Sequence, residues 1–289
     1  MGRSYTLRCS VFATVGSLIY GYDSGIISTT LGQATFPAYF NHPSPNLTGA
    51  IVSTYSGGQG LGNLSGGYLG DKLGRKKTIW LASTLALIGA ILQTAAVNIT
   101  MFLVGRIMAG YAIGLVYAVS SIYNAEIAPP KIRGITVGLQ TQMISIGYAL
   151  ANWVGVFGSF AAGNAAWRIP LGIQCVPAVV LIIGLFWLPE SPRWLVQNGK
   201  YEQARAVLRK LHATETKSTK NDLTLTDQEN GLENFADREL MQIREQVDFE
   251  RETEVKSFWV LFTKPSYRRR LLLGVGLQVF LQTSGVNVS

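Results

Sequence analysis

The chain has 289 residues, of which 48% are hydrophobic and only 15% are charged. Soluble domains usually carry about 25% charged residues, so the composition argues against a soluble globular protein. Apolar stretches of about 20 residues, the length of a membrane-crossing helix, separate short charged segments. The net charge of +8 therefore indicates basic loops beside a membrane, and we expect no nucleic-acid binding. Cys9 and Cys175 fall in apolar stretches and indicate neither a disulfide nor a metal site.

Six complete membrane spans are predicted along the chain. They lie at 9–30, 49–70, 78–97, 101–123, 135–158 and 168–188, and a seventh begins near Leu271 and is still running at Ser289. Lipid offers no hydrogen-bond partner to backbone amides, so a span must be a helix or part of a closed barrel. The segments lack the alternation of barrel strands, so we predict helices. The segment before the first span is too short, and that span too long, for a cleavable signal peptide.

Lysine and arginine in the short loops predict the orientation. They precede the first span and recur in the loops after the second and fourth spans, as Arg3, Arg8, Lys72, Arg75, Lys76, Lys77, Lys131 and Arg133. The loops at 31–48 and 97–100 contain neither residue. We therefore expect a cytoplasmic N-terminus, with the glycosylation sequons at Asn46 and Asn98 on the outside.

The sequence from 189 to about 269 changes to a charged, soluble composition. Gly199–His212 shows the apolar periodicity of a short amphipathic helix, 213–230 is predicted to be a loop, and a second charged helix is predicted at Leu232–Thr253. We therefore divide the chain into a six-helix bundle at 1–188, a cytoplasmic helical linker at 189–269 and the start of a second bundle, a truncated seventh span, at 270–289.

Glycine spacing indicates an internal repeat. The first and fourth spans share one pattern, Gly16, Gly21 and Gly25 against Gly105, Gly110 and Gly114. The two spans run in opposite directions, as an inverted three-plus-three repeat requires, and such repeats place a binding site at their interface. The second span carries a glycine on every fourth residue from Gly58 to Gly70, which we interpret as a packing stripe.

Two ionisable residues, Asp23 and Arg106, fall inside predicted spans. Each costs on the order of 2.5–3.5 kcal/mol to insert, and such residues usually mark a pathway or a relay. At ~1.5 Å per residue both lie at about the same depth on the two repeat-related helices, so we predict that they pair. Because arginine stays protonated, Asp23 would carry any proton. A static structural ion pair is the alternative.

Several motifs resemble those of the sugar porter family of the major facilitator superfamily. The segment from Gly67 to Lys76 resembles the superfamily's loop between helices two and three. More specific are the motifs YGYDSG at 20–25, EIAP at 126–129, PESPRWL at 189–195 and QTSGVN at 282–287. The resemblance implies an all-α membrane fold, here its N-terminal six-helix bundle, the linker and the start of the seventh span.

The resemblance also implies roles for individual residues. Asp23 and Arg106 fall at the proton-coupling pair of the family's symporters. Tyr20, Gln282 and Asn287 match residues that contact the sugar. The two amides suit sugar hydroxyls because an amide both donates and accepts hydrogen bonds. The cytoplasmic ion network that holds the outward-facing state matches Asp71, Arg75, Glu126, Arg133, Glu190 and Arg193.

Two positions depart from the family pattern. The seventh helix usually has two adjacent glutamines, but Leu281 precedes Gln282 here. The fifth-helix glutamine falls on Thr141, with Gln140 and Gln142 beside it. We keep Gln140 and Thr141 as candidate sugar contacts and leave the identity of the sugar open.

The resemblance implies proton-coupled uptake of a sugar of the hexose class across a plasma membrane, by alternating access together with the other half of the fold. The proton would be the coupling ion, with no cofactor. A facilitative sugar uniporter and a transporter-like sugar sensor remain alternatives. No catalytic constellation or metal-ligand set is found in the sequence, since His42 and His212 lie outside the spans, so we expect no enzyme.

Overall fold

The computed structural model describes residues 4–128, 133–216, 225–253 and 264–283. The described part of the chain is helical and contains no strand. The helices are α1 Ser4–Ala13, α2 Val15–Leu31, α3 Thr35–Tyr39, α4 Pro45–Leu73, α5 Arg75–Thr94, α6 Ile99–Ile127, α7 Arg133–Ser159, α8 Ala165–Ile173, α9 Cys175–Gly184, α10 Pro192–Gln197, α11 Tyr201–Thr216, α12 Leu225–Thr253 and α13 Pro265–Thr283.

The helices reproduce the predicted spans within a few residues, with two interruptions that were not predicted. The first span is divided into α1 and α2 at Thr14, and the sixth into α8 and α9 at Gln174. Pro177 in the first turn of α9 has no N–H to donate to the carbonyl of Ile173, which weakens the helix at this point. The short helix α3 was not predicted either.

Three stretches within the described residues are long and apolar enough to cross a membrane, namely α5, α6 and the continuous run of α8 and α9 from 165 to 184. The helices α4 and α7, with 29 and 27 residues, are also long, but they carry many glycine and polar residues. Among α1 to α9, the most extensive helix contacts join α4 to α6, α5 to α6 and α2 to α7.

The glycine stripe of α4 packs against α6 within the same bundle. A Cβ atom on Gly58 would lie 2.6 Å from the carbonyl oxygen of Ile107, and one on Gly62 would overlap the carbonyl of Tyr111. The two backbones therefore touch, and no larger residue fits between them. Close packing of this kind joins membrane helices, because lipid removes the usual hydrophobic driving force between them.

The contact of α2 with α7 repeats the contact of α6 with α4. Gly147 faces α2 as Gly58 faces α6: a Cβ atom on Gly147 would lie 2.5 Å from the carbonyl oxygen of Leu18, three residues before Gly21. Ile107, which Gly58 faces, also stands three residues before a glycine, Gly110. One constant sequence offset relates the glycines of the two halves, in the pairs Gly16 and Gly105, Gly21 and Gly110, Gly25 and Gly114, Gly58 and Gly147, Gly66 and Gly155, and Gly74 and Gly163. The glycines thus follow a three-plus-three repeat.

The described residues of the linker up to Thr253 form three helices, where two were predicted. The helix α10 follows the last span directly, α11 begins and ends slightly later than predicted, and α12 begins earlier than predicted. The α11 residue Arg205 donates two hydrogen bonds of 2.5 Å to Asp237 of α12.

The chain divides into two compact units, Met1–Ile243 and Arg244–Ser289. The first contains all of the predicted spans except the seventh. The second contains α13, which begins earlier than the predicted seventh span. This division differs from the predicted boundaries at 188 and 269, which stay a prediction.

Candidate functional site

The structure brings Asp23 and Arg106 together in the interior of the bundle. Asp23 lies on α2 and Arg106 on α6, and 3.8 Å separate Nη1 of Arg106 from Oδ1 of Asp23. Their side chains are 2% and 0% exposed. The pair is thus fully buried, but the distance exceeds that of a direct hydrogen bond.

Arg106 has further partners from two other helices. Its Nη1 donates a hydrogen bond of 3.4 Å to Oε1 of Gln93 on α5. The guanidinium also lies over the ring of Tyr55 on α4, 4.1 Å from the ring centroid. A cation over an aromatic face is attracted by the ring quadrupole. Arg106 is therefore held in place by contacts that do not depend on Asp23.

The carboxylate of Asp23 has fewer contacts than the arginine. Neither of its oxygens has a hydrogen-bond partner among the residues that the structure describes. Buried polar groups are normally hydrogen-bonded, and exceptions often have a functional reason. A charged carboxylate here depends on Arg106 for compensation, whereas a protonated one does not. The arrangement suits an acid that gains and loses a proton beside a permanent cation.

The predicted sugar contacts in the first bundle lie on α2 and α7. Tyr20 of α2 packs against Tyr117 of α6, with ring centroids 5.1 Å apart. Gln140 is buried and donates a hydrogen bond of 2.5 Å to Oγ of Ser121 on α6. Thr141 is exposed, and its hydroxyl donates to the carbonyl of Val137 in its own helix. Of the two adjacent positions, Thr141 is thus the accessible one.

The predicted cytoplasmic network is centred on Arg75 at the start of α5. Its Nε and Nη2 donate hydrogen bonds of 3.0 and 2.8 Å to the two carboxylate oxygens of Glu126 at the end of α6. Nη1 lies 2.9 Å from Oδ1 of Asp71 and donates to the carbonyl of Gly70. Arg75 thereby ties together the ends of α4, α5 and α6.

Glu190 joins this region through a backbone amide. Its Oε1 accepts a hydrogen bond of 3.0 Å from the N–H of Lys76 in the first turn of α5, where a negative charge is favoured. A Cβ atom on Gly74 would lie 2.7 Å from Oε2 of Glu190, and the φ of Gly74 is +95°. The positive φ favours glycine at this position, and a larger residue would also displace the Glu190 carboxylate. Nε1 of Trp194 donates to the carbonyl of Asp71 at 2.8 Å, which fixes α10 beside the same loop.

Four predicted site residues are less fully described. Arg193 is the second residue of α10 and has interactions of its own. Arg133 begins α7, but its side chain lies outside the described residues. The same is true of the side chain of Gln282 in α13, and Asn287 lies entirely outside them.

Three residues around the buried pair were not predicted from the sequence. Tyr55 and Gln93 contact Arg106, and the buried Gln174 lines a small cavity together with Asp23. Gln93 and Gln174 are amides inside apolar spans, a signal that a search for ionisable residues alone overlooks. Among the described residues, no cluster of His, Cys, Asp or Glu has the composition of a metal site.

Comparison with known proteins identifies the family. The family described as "Sugar (and other) transporter" matches residues 9–289. The chain is 37% identical to the MFS-type transporter criB of Aspergillus cristatus over 100% of this chain and 59% of that protein. It is 32% identical to the galactose-proton symporter of Escherichia coli, covering 99% of this chain and 56% of the symporter. It is also 32% identical to a high-affinity glucose transporter of Kluyveromyces lactis, covering 96% of this chain and 47% of that transporter.

A solved structure has the same fold. The proton:xylose symporter XylE bound to 6-bromo-6-deoxy-D-glucose superposes with a TM-score of 0.82 at 28% identity, over 100% of this chain and 61% of that one. The chain thus spans about half to three fifths of the proteins that it resembles. These relatives are transporters and not enzymes. The chain is a multi-pass membrane protein of the major facilitator fold and belongs to the sugar transporter family.

Proposed function

We propose that this chain provides the proton-binding half of a proton-coupled sugar transporter, with Asp23 as the residue that carries the proton. The observation that supports this most directly is the buried Asp23 carboxylate, which lies 3.8 Å from Arg106 and has no hydrogen-bond partner among the described residues. Two of the similar proteins are named as symporters, one for galactose and one for xylose.

The contacts of Arg106 suggest how protonation affects the helices. At about 4 Å and an effective dielectric constant of about 20, two unit charges attract each other by roughly 4 kcal/mol. Protonation of Asp23 removes this attraction between α2 and α6. Arg106 then keeps Gln93 and the ring of Tyr55 as partners, so it stays on the side of α4 and α5. The proton thereby changes how strongly α2 is held to the other helices.

The sugar is proposed to bind beside this pair, against α2 and α7. Tyr20 supplies an aromatic face, and Thr141 is the exposed polar position on α7, while Gln140 supports it through Ser121. Gln282 and Asn287 stand in the seventh-helix motif and are proposed as further sugar contacts on the ground of that motif. We propose a hexose as the substrate, because glucose and galactose transporters are among the similar proteins.

The network around Arg75 is proposed to latch the cytoplasmic side while the transporter faces outward. The bidentate pair with Glu126 and the Glu190 contact at the start of α5 support this role, because both join separate helices at the same end of the bundle. Arg133 and Arg193 are proposed to belong to the latch. The basic loops support a cytoplasmic N-terminus, and we propose the plasma membrane as the location.

The test is Asp23→Asn in the complete transporter, meaning this chain continued by a second half of the family fold. Energised cells or vesicles expressing the variant should lose accumulation of labelled sugar against its gradient, while exchange between equal concentrations persists. Asp248→Asn is the matched control, because Asp248 is an exposed acid on α12. Undiminished accumulation that an uncoupler still abolishes in Asp23→Asn would contradict the proposal. Wild-type protein that exchanges but never accumulates sugar would indicate a uniporter.

A further inference from the structure

Gln174 is a buried amide whose polar atoms have no hydrogen bonds. Gln174 is only 4% exposed, and neither its Oε1 nor its Nε2 has a hydrogen-bond partner among the residues that the structure describes. It stands at the interruption between α8 and α9. Leaving a buried polar group without hydrogen bonds destabilises a protein, so this amide needs an explanation.

The same small cavity contacts both Gln174 and Asp23. Its other walls are apolar and come from α2, α5, α6 and α9, through Ile19, Ala86, Ala90, Ala109, Ile113 and Ala178. Gln174 and Asp23 are the two polar residues among those that line it. Each has unsatisfied atoms, and a water molecule at a polar site of this kind typically makes about three hydrogen bonds.

A bridging water would give Asp23 and Gln174 one hydrogen bond each in either protonation state of the acid. When Asp23 is ionised, the water donates to the carboxylate and accepts from the N–H of the Gln174 amide. When Asp23 is protonated, the water accepts from its O–H and donates to the amide oxygen. An amide is suited to this exchange because it offers both donors and an acceptor without changing its own charge.

We propose that Gln174 is a positioning residue for Asp23 that holds one water in this cavity and so sets the pH range in which the acid loads its proton. This inference rests on the proposed function. The charged and titratable groups that face Asp23 are Arg106 from α6, Tyr55 from α4, Cys175 from α9 and Tyr22 from its own helix. Arg106 is the cation among them and Tyr55 brings a hydroxyl to the acid, and a bridging water would add one more donor to the ionised carboxylate.

The experiment compares three variants of the complete transporter. Gln174→Leu removes the amide at similar size, and Ala178→Val narrows the cavity from α9 while keeping Gln174. Val176→Leu is the control, because Val176 lies two residues from Gln174 but is 58% exposed. Initial uptake is measured across external pH, and sugar exchange and the amount of protein in the membrane are measured alongside.

We expect Gln174→Leu and Ala178→Val each to move the pH of half-maximal uptake upward by about one unit. A shift of this size corresponds to one lost hydrogen bond to a charged group. The direction follows because the ionised acid loses its water, so the protonated form persists to higher pH. Exchange at acid pH should match that of the wild type and of Val176→Leu. Exchange is the readout that a general packing defect would lower.

Superimposed pH profiles for the wild type and Gln174→Leu would overturn the inference and leave the proposed function intact. A shift in Gln174→Leu without one in Ala178→Val would overturn the bridging water, because it would mean that the amide acts on Asp23 directly. Wild-type uptake that responds neither to pH nor to an uncoupler would instead overturn the proposed function, and this inference with it.

Discussion

Arg75 and Glu126 form a two-point contact between the start of α5 and the end of α6. Nε and Nη2 of Arg75 donate to the two oxygens of Glu126 at 3.0 and 2.8 Å, and the side chains are only 5% and 8% exposed. Planar pairing of this kind is stronger and more specific than a single charged hydrogen bond. Because it is buried, losing one partner leaves an uncompensated charge behind.

Arg75→Gln should therefore destabilise the protein strongly, by about 3–5 kcal/mol, because Glu126 stays buried without its cation. Arg205→Gln is the matched control. Arg205 makes the same two-point contact with Asp237, but these side chains are 34% and 37% exposed, and exposed pairs contribute at most about 1 kcal/mol. The measurement is the thermal unfolding midpoint of the purified protein in detergent. Equal decreases of the unfolding midpoint in the two variants would show that burial does not decide the strength of the Arg75 contact.

The repeat makes a paired prediction about packing. Gly58→Ala and its counterpart Gly147→Ala should destabilise the protein to a similar degree, by about 1–3 kcal/mol each, since both new Cβ atoms press on a backbone carbonyl. Gly60→Ala and Gly138→Ala are controls in the same two helices, with nothing within 4 Å of the added atom. Their unfolding midpoints should be unchanged or slightly higher, because alanine favours a helix. A loss at Gly58 without one at Gly147 would mean that the two contacts are not equivalent.

The orientation predicts a glycosylation pattern. In a secretory pathway Asn46 should be modified, because it is exposed at the start of α4 in the long loop region that lacks lysine and arginine. Asn98 should remain unmodified, because it lies in a short connection and its side chain accepts the N–H of Met101 as the cap of α6. Glycosidase digestion should shift the mobility of the wild type and of Asn98→Gln but not of Asn46→Gln. A glycan on a residue of the linker would show that the orientation in the membrane is the reverse of the predicted one.

The sequence was sufficient for the elements whose causes are local. Spans of about 20 apolar residues must be helical in lipid, and every predicted span in the first unit corresponds to a helix or a pair of helices. The fixed rise of a helix also made the depth of Asp23 and Arg106 calculable, and the structure brings the two together. The family motifs likewise stand in consecutive residues, so the membership followed from the sequence.

The tertiary structure decided what depends on helix rotation and on distant chain segments. Gln140 and Thr141 are adjacent polar residues, and the sequence does not reveal which of the two side chains is buried. That depends on where α6 lies against α7. Glu190 proved to contact the backbone of Lys76, a partner that charge pairing alone does not suggest. Gln174 is far from Asp23 in sequence, and only the packing of α9 against α2 and α5 places the amide and the acid on one cavity. Local sequence determines where helices form and how deep a residue lies, whereas the partners of a side chain are fixed only when the helices pack.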